Sequence, residues 1–156
     1  MRQVVLALVA ALVIAGSAAQ ALRDPVDAQD SSAAASSGAT PSDLRGSDWR
    51  FVEVNGVPVP NGVDATLRLR DGRASGKAGC NAYGASWEMS ANGHTKFGDA
   101  MSTKMACLEP AGTMEVERSV FGALRHAARM HRDGETLVLL DGSGKPLAKL
   151  VPDDTP

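Results

Sequence analysis

By type, the residues best suited to chemistry are Cys80 and Asn81, which follow Gly79 in the run GKAGCNAYGASWEMS, residues 76–90. A cysteine beside an asparagine can be a nucleophile, a metal ligand, half of a disulfide or a thiol packed at a backbone corner. A nucleophilic thiol needs a histidine base oriented by a third group. His94, His126 and His131 are all distant from Cys80 in sequence, each in a turn, a helix end or a strand where a solvent-facing imidazole is the ordinary reading. A structural zinc site needs four ligands at characteristic spacing. His126 and His131 have such a spacing, but Cys80 and Cys107 do not form a close pair, so no metal is expected. Asp99, Glu109 and Glu115 show no paired arrangement. G-x-S-x-G, P-loop and G-x-G-x-x-G patterns are absent, and DGSGKP at 141–146 reads as a hairpin loop rather than a phosphate cradle. No catalytic set emerges, and neither enzyme activity nor a cofactor is expected.

Sulfur of a second kind clusters around the other cysteine. Met101, Met105 and Met114 could bind copper(I) as soft thioethers or line an apolar groove, though core filling beside a helix is the commoner use of methionine. Met101 and Met105 together with Trp87 form the candidate binding surface for a hydrophobic ligand or peptide. An open sheet edge that could accept a partner strand is the other candidate.

These residues must be positioned by a folded domain, and the N-terminus says where it operates. Arg2 precedes an apolar run from Val4 to Ala15 and then Gly16, Ser17, Ala18 and Ala19, the pattern of a secretory signal peptide. The run is shorter than the roughly 20 apolar residues a spanning helix needs. Ala19-Gln20-Ala21 places cleavage after Ala21, so residues 1–21 are expected to be removed and the protein to be periplasmic or secreted, touching the membrane only before cleavage. No cysteine lies near the cleavage site to carry a lipid. Cleavage takes away Arg2 alone among the charges, leaving an acidic excess slightly larger than the −2 of the whole chain. A nucleic-acid binder would show a basic stripe, and here basic and acidic residues are interspersed. Residues 22–43 are rich in Ser, Ala, Asp and Pro and too poor in bulky apolar side chains to fold, so they read as a flexible linker. One domain, residues 44–151, follows, then a disordered tail, 152–156. A monomer is expected.

Within the domain, Asn55-Gly56, Asn61-Gly62, Asp71-Gly72, Asn92-Gly93, Asp133-Gly134 and Asp141-Gly142 punctuate short apolar runs, each a hairpin candidate. Between them WRFVEV from Trp49, ATLRLR from Ala65, YGASWEM from Tyr83, ETLVLLD from Glu135 and PLAKLV from Pro146 read as strands. Leu67 and Leu69 should face one way and Thr66, Arg68 and Arg70 the other. From Thr113 to about Arg125 the pattern changes: Val116, Val120 and Leu124 recur four apart, an apolar helical stripe. Thr113 is placed as its cap, with Glu115 and Glu117 at its positive end and Arg125 and His126 at its negative end. The segment after it, into Asp133-Gly134, reads as a strand. The fold class is α+β: mainly antiparallel β, a curved sheet or partly open barrel of about six to eight short strands, with one helix packed on it.

Several stretches occur in the order found in a known family. They are Trp49 with VNG at 54–56, LRLRDGRASGKAGCNAY from Leu67, MSTKMAC from Met101, MEVERSVFGAL from Met114 and LVLLDGSGKPL from Leu137. The chain resembles the META domain, that of the heat-shock protein HslJ, across essentially the whole folded part. Gly79-Cys80-Asn81 and Thr103-x-Met105-Ala106-Cys107 are the most specific elements. The resemblance implies a small exported or envelope domain with stress-related roles and no established reaction. It departs from the family in having Trp87 as the second aromatic, Gly84 one residue early, and no lipoprotein cysteine in the leader.

Two cysteines retained in an exported chain suggest a Cys80–Cys107 disulfide, with two buried thiols as the alternative. On either account Gly79 and Asn81 serve a backbone corner, Gly79 at a bend or close approach and Asn81 bonding the turn, with Tyr83 and Thr103 completing the structural motif. Three function classes remain: a non-catalytic envelope domain binding envelope proteins or unfolded segments, a carrier of a small hydrophobic or lipid ligand in the sheet, and a hydrolase or thiol enzyme. The first is preferred.

Overall fold

A computed structural model describes residues 40–154. The expected signal peptide and most of the expected linker lie outside the described residues. The elements are α1 (Pro41–Leu44), β1 (Asp48–Val54), β2 (Val57–Pro58), β3 (Thr66–Arg70), β4 (Arg73–Ala78), β5 (Asn81–Met89), β6 (Thr95–Phe97), β7 (Met101–Ser102), α2 (Thr113–His126), β8 (Arg129–Asp133), β9 (Thr136–Leu140) and β10 (Pro146–Pro152).

All pairings are antiparallel, and the strands run in the order β6-β5-β4-β3-β1-β10-β9-β8, with β2 beside β1 and β7 beside β5. The two ends of this path approach each other. His94 bridges to Arg129, the Thr95 N–H donates to the Ala128 carbonyl at 3.0 Å, and the Met130 N–H donates to the Gly93 carbonyl at 3.1 Å. The sheet is therefore a nearly closed barrel, which hides most of the edge an open sheet would leave unpaired.

Alternation fills its interior. Leu67 and Leu69 point inward from β3 while Arg68 and Arg70 are exposed, and Leu137, Leu139 and Leu150 join them with Phe51 at near-zero exposure. Thr66, although buried, lines an outer cleft with Arg68; its Oγ1 accepts the Lys77 N–H at 3.1 Å and its carbonyl accepts the Tyr83 hydroxyl at 2.9 Å. A register shift between Phe51 and Glu53 opposite β10 leaves Val52 as the extra residue of a bulge, one of the bends that curve the sheet.

The helical stripe is the plug for this interior. Val116, Val120 and Leu124 are buried with Ala123 on one face of α2, which packs against β1, β4, β6 and β10. Its expected cap is displaced. Gly112, at φ 88°, occupies the capping position without a side-chain bond, and Thr113 lies inside the first turn, its hydroxyl donating to the Pro110 carbonyl at 2.5 Å.

Both domain boundaries move outward. Leu44 is fully buried at the end of α1, so ordered structure begins within the expected linker. The expected tail likewise begins later: Pro152 belongs to β10, the Asp153 N–H donates to the Asp48 carbonyl at 2.9 Å, and its carboxylate pairs with Arg50. The last hairpin turns at Gly144 rather than Gly142, because Asp141 Oδ1 accepts the N–H groups of Ser143 (2.8 Å) and Lys145 (2.9 Å) and so wraps a longer loop.

Candidate functional site

The Gly-Cys-Asn element is a hairpin tip. Ala78 pairs with Asn81, so Gly79 and Cys80 form the two-residue loop between β4 and β5, with Gly79 at φ 79°. Glycine is required there for a second reason: a Cβ on it would stand 2.6 Å from the Thr113 carbonyl oxygen, where α2 begins. Gly76, on β4, faces a tighter approach, 2.1 Å from its hypothetical Cβ to the Thr66 carbonyl oxygen. That carbonyl accepts the Tyr83 hydroxyl at 2.9 Å, so the missing side chain at Gly76 lets strand and phenol reach the same oxygen. Tyr83 also meets Phe121 edge-on at 5.8 Å, which ties β5 to α2, and burial pushes its phenol well above the ordinary tyrosine range.

Cys80 is bonded to Cys107 with Cα atoms 5.7 Å apart, so it is not a free nucleophile. The bridge holds a strap, residues 101–112, across the hairpin. Along β5 the strap runs antiparallel, with Met101 opposite Gly84, Ser102 opposite Tyr83, and the Thr103 N–H donating to the Ala82 carbonyl at 3.1 Å. Asn81 holds the next turn of it.

Asn81 is 1% exposed, and every polar position of its side chain is used. Its Oδ1 accepts the Thr103 hydroxyl at 2.7 Å and the Met105 N–H at 2.8 Å, and its Nδ2 donates to the Met105 carbonyl at 3.0 Å and to Glu117 Oε2 at 2.8 Å. The Asn81 backbone N–H also donates to Glu117 Oε2, at 3.1 Å. One buried amide thus joins hairpin, strap and helix, which suits a fully satisfied polar network in a small core. Sequence reasoning placed Asn81 at the corner but missed Glu117, read only as a helix-terminus acid; no local signal connects residues in such different elements.

The candidate binding surface divides. Met101 (82% exposed) and Met105 (57% exposed) stand in solvent on the strap, and Leu108, which sequence reasoning did not single out, is 89% exposed beside them in sequence. Trp87 does not belong there. It is 4% exposed on the inward side of β5, with Nε1 donating to Thr95 Oγ1 at 3.0 Å, because the alternation that buries Tyr83 and Ala85 buries it too. Nor is the barrel's inner face available as a ligand pocket, since Phe51, Leu67, Leu69, Leu137, Leu139, Leu150 and Val120 fill it. An apolar cleft of about 210 Å³ lies outside, between β2 and α2, lined by Val54, Val57, Pro58, Val59, Pro60 and Val116 among others. Among the described residues no three His, Cys, Asp or Glu side chains converge as a metal site, and the His126–His131 pair gains no further ligand. No described helix is long and apolar enough to cross a membrane. The disulfide is the form expected in an oxidising, extracellular compartment.

Comparison with known proteins adds the family. The META domain model matches residues 42–154. Three solved structures share the fold. One is the NMR structure of a protein from Burkholderia xenovorans, 24% identical with a TM-score of 0.57, covering 72% of this chain and 85% of that one. Another NMR structure is 22% identical with a TM-score of 0.58, over 72% of this chain and 95% of the other. The crystal structure of a DUF4847 family protein from Bacteroides vulgatus is 13% identical with a TM-score of 0.53, over 74% and 98%. No curated protein matches significantly.

Proposed function

The chain belongs to the META domain family, and on that premise we propose that it is an exported, non-catalytic envelope domain, stress-related like HslJ, that binds envelope proteins or unfolded segments through its strap. The observation that carries this reading is where the apolar surface lies. Of the five large hydrophobic side chains exposed among the described residues, Met101, Met105 and Leu108 fall within eight consecutive residues of one disulfide-anchored segment. Scattered single hydrophobics on a surface need no explanation, whereas a concentration of them marks an interaction site. The strap is held by a bridge and by Asn81, so displaying these side chains costs little ordering entropy on binding. Methionine suits partners of varied shape, because its unbranched thioether repacks easily.

The test is titration of the mature chain with a reduced, carboxymethylated polypeptide that cannot fold, followed by fluorescence anisotropy. Saturable binding is expected, weakened at least about tenfold, or roughly 1.4 kcal/mol, by the triple substitution Met101→Ser, Met105→Ser, Leu108→Ser with no change in thermal midpoint. Equal binding by the triple variant would remove the strap from the mechanism.

A further inference from the structure

We propose that Met101 and Met105 are oxidation sites for hydrogen peroxide, and that their conversion to sulfoxides switches off the strap surface while leaving the fold intact. The regulatory half of this inference rests on the docking role proposed above; the site assignment does not.

Accessibility ranks the thioethers. Met101 and Met105 are exposed, Met89 and Met114 are partly covered, and Met130 is 2% exposed inside the barrel. Competing reductants are withdrawn. The chain has two cysteines and both are in the bridge, so no thiolate is left to react first, and Trp49 and Trp87 are buried. Peroxide that reaches the folded domain therefore meets two solvent-facing sulfurs on one segment. In each reaction the sulfur attacks one peroxide oxygen and the O–O bond breaks. The thioether gives up two electrons and gains that oxygen as S=O, while the other oxygen leaves as water.

The strap is built so that this change stays at the surface. Met105 is held through its main chain, the N–H and C=O both bonded to Asn81, and Met101 through its pairing with Gly84. Neither anchor uses the side chain that is modified. What changes is polarity: two flexible apolar groups become polar sulfoxides, leaving Leu108 as the one large apolar side chain of the strap. A surface that gains its affinity from burying these groups loses it, and reduction of the sulfoxides restores it.

The experiment treats the mature, disulfide-bonded chain with limiting hydrogen peroxide and follows three readouts: a peptide map by mass spectrometry, the thermal midpoint, and binding of the carboxymethylated polypeptide. Met101 and Met105 are expected to gain one oxygen each before Met89 and Met114, with Met130 unmodified, the midpoint unchanged and binding weakened about tenfold. The variant Met101→Leu, Met105→Leu should bind as well after peroxide as before. Oxidation of Met130 at a comparable rate, or loss of the fold when only Met101 and Met105 are modified, would overturn the site assignment. An equal loss of binding in the leucine variant would overturn the switch. Failure of the untreated chain to bind the polypeptide would sink the docking role and the switch with it, while the peptide map would still decide the two sites.

Discussion

Asn81 and Glu117, 36 residues apart, meet on a single oxygen: Glu117 Oε2 accepts both the backbone N–H and the side-chain Nδ2 of Asn81. The relationship fixes the first turns of α2 on the β4–β5 hairpin, while the other side of the same amide fixes the strap. Asn81→Ala should therefore cost about 2 kcal/mol or more in urea unfolding, since it removes four part-buried side-chain hydrogen bonds at once. Asn81→Asp should be worse at neutral pH, because it sets a second carboxylate 2.8 Å from the first. The like charge raises the folded-state pKa of the introduced carboxyl, so its variant should be most stable below the ordinary value of about 3.9 and lose stability as pH rises past it. A variant as stable as the parent at neutral pH would deny Asn81 its joining role.

The bridge should contribute measurably and should report on export. On chain entropy, closing the 27-residue separation between Cys80 and Cys107 stabilises by about 3.5 kcal/mol, so the double substitution to alanine should lower the urea midpoint accordingly and make the strap protease-sensitive. Intact mass of protein recovered from a periplasm should begin at Leu22, with no thiol alkylated until reduction and two alkylated afterwards. Alkylation before reduction would contradict the bridge, and a mass retaining residues 1–21 would contradict cleavage.

Two strand glycines should answer differently to the same added methyl group. Gly76→Ala drives a Cβ against the Thr66 backbone, which cannot retreat as a side-chain tip can, and should destabilise by about 3 kcal/mol. Gly84→Ala meets nothing within 4 Å and should be neutral or slightly stabilising. Comparable losses at both positions would mean that backbone conformation, not the approach of β3, dictates glycine at Gly76.

Tyr83 is the single tyrosine of the chain, which makes its ionisation readable by absorbance. Burial raises its pKa in the fold, so the unfolded state ionises first and stability should fall as pH rises above about 10. The tyrosinate signal should appear only with alkaline unfolding, and at the ordinary value in denaturant. A titration near 10 with the fold intact would place the phenol in water.

Much of this architecture was legible because it follows local rules. The strand over Thr66–Arg70 shows in period-2 alternation, those over Trp49–Val54 and Thr136–Leu140 in short apolar runs between turn signals, and α2 in the four-residue recurrence of Val116, Val120 and Leu124. β4 carries no apolar alternation at Ser75, Gly76 and Lys77; its place is dictated by close approach to β3 rather than by hydrophobicity. β2 and β7, two residues each, are too short for any period. Trp87, expected at a binding surface, follows Tyr83 and Ala85 at period 2 and so shares their inward side. The Asn81–Glu117 pair had no sequence signature, since it exists only once the helix is seated.

The first strand starts beside the end of the last. Asp48 opens β1 and is bonded to Asp153 just beyond β10, so the start of β1 and the end of β10 are neighbours on one antiparallel pair. A pull applied through the two termini would load the β1–β10 hydrogen bonds one at a time from that end, as a zipper opens, rather than all together in shear. Force spectroscopy on the domain held by its termini should accordingly record a low rupture force, even though the same pair carries the buried side chains of Trp49, Phe51, Ala148 and Leu150.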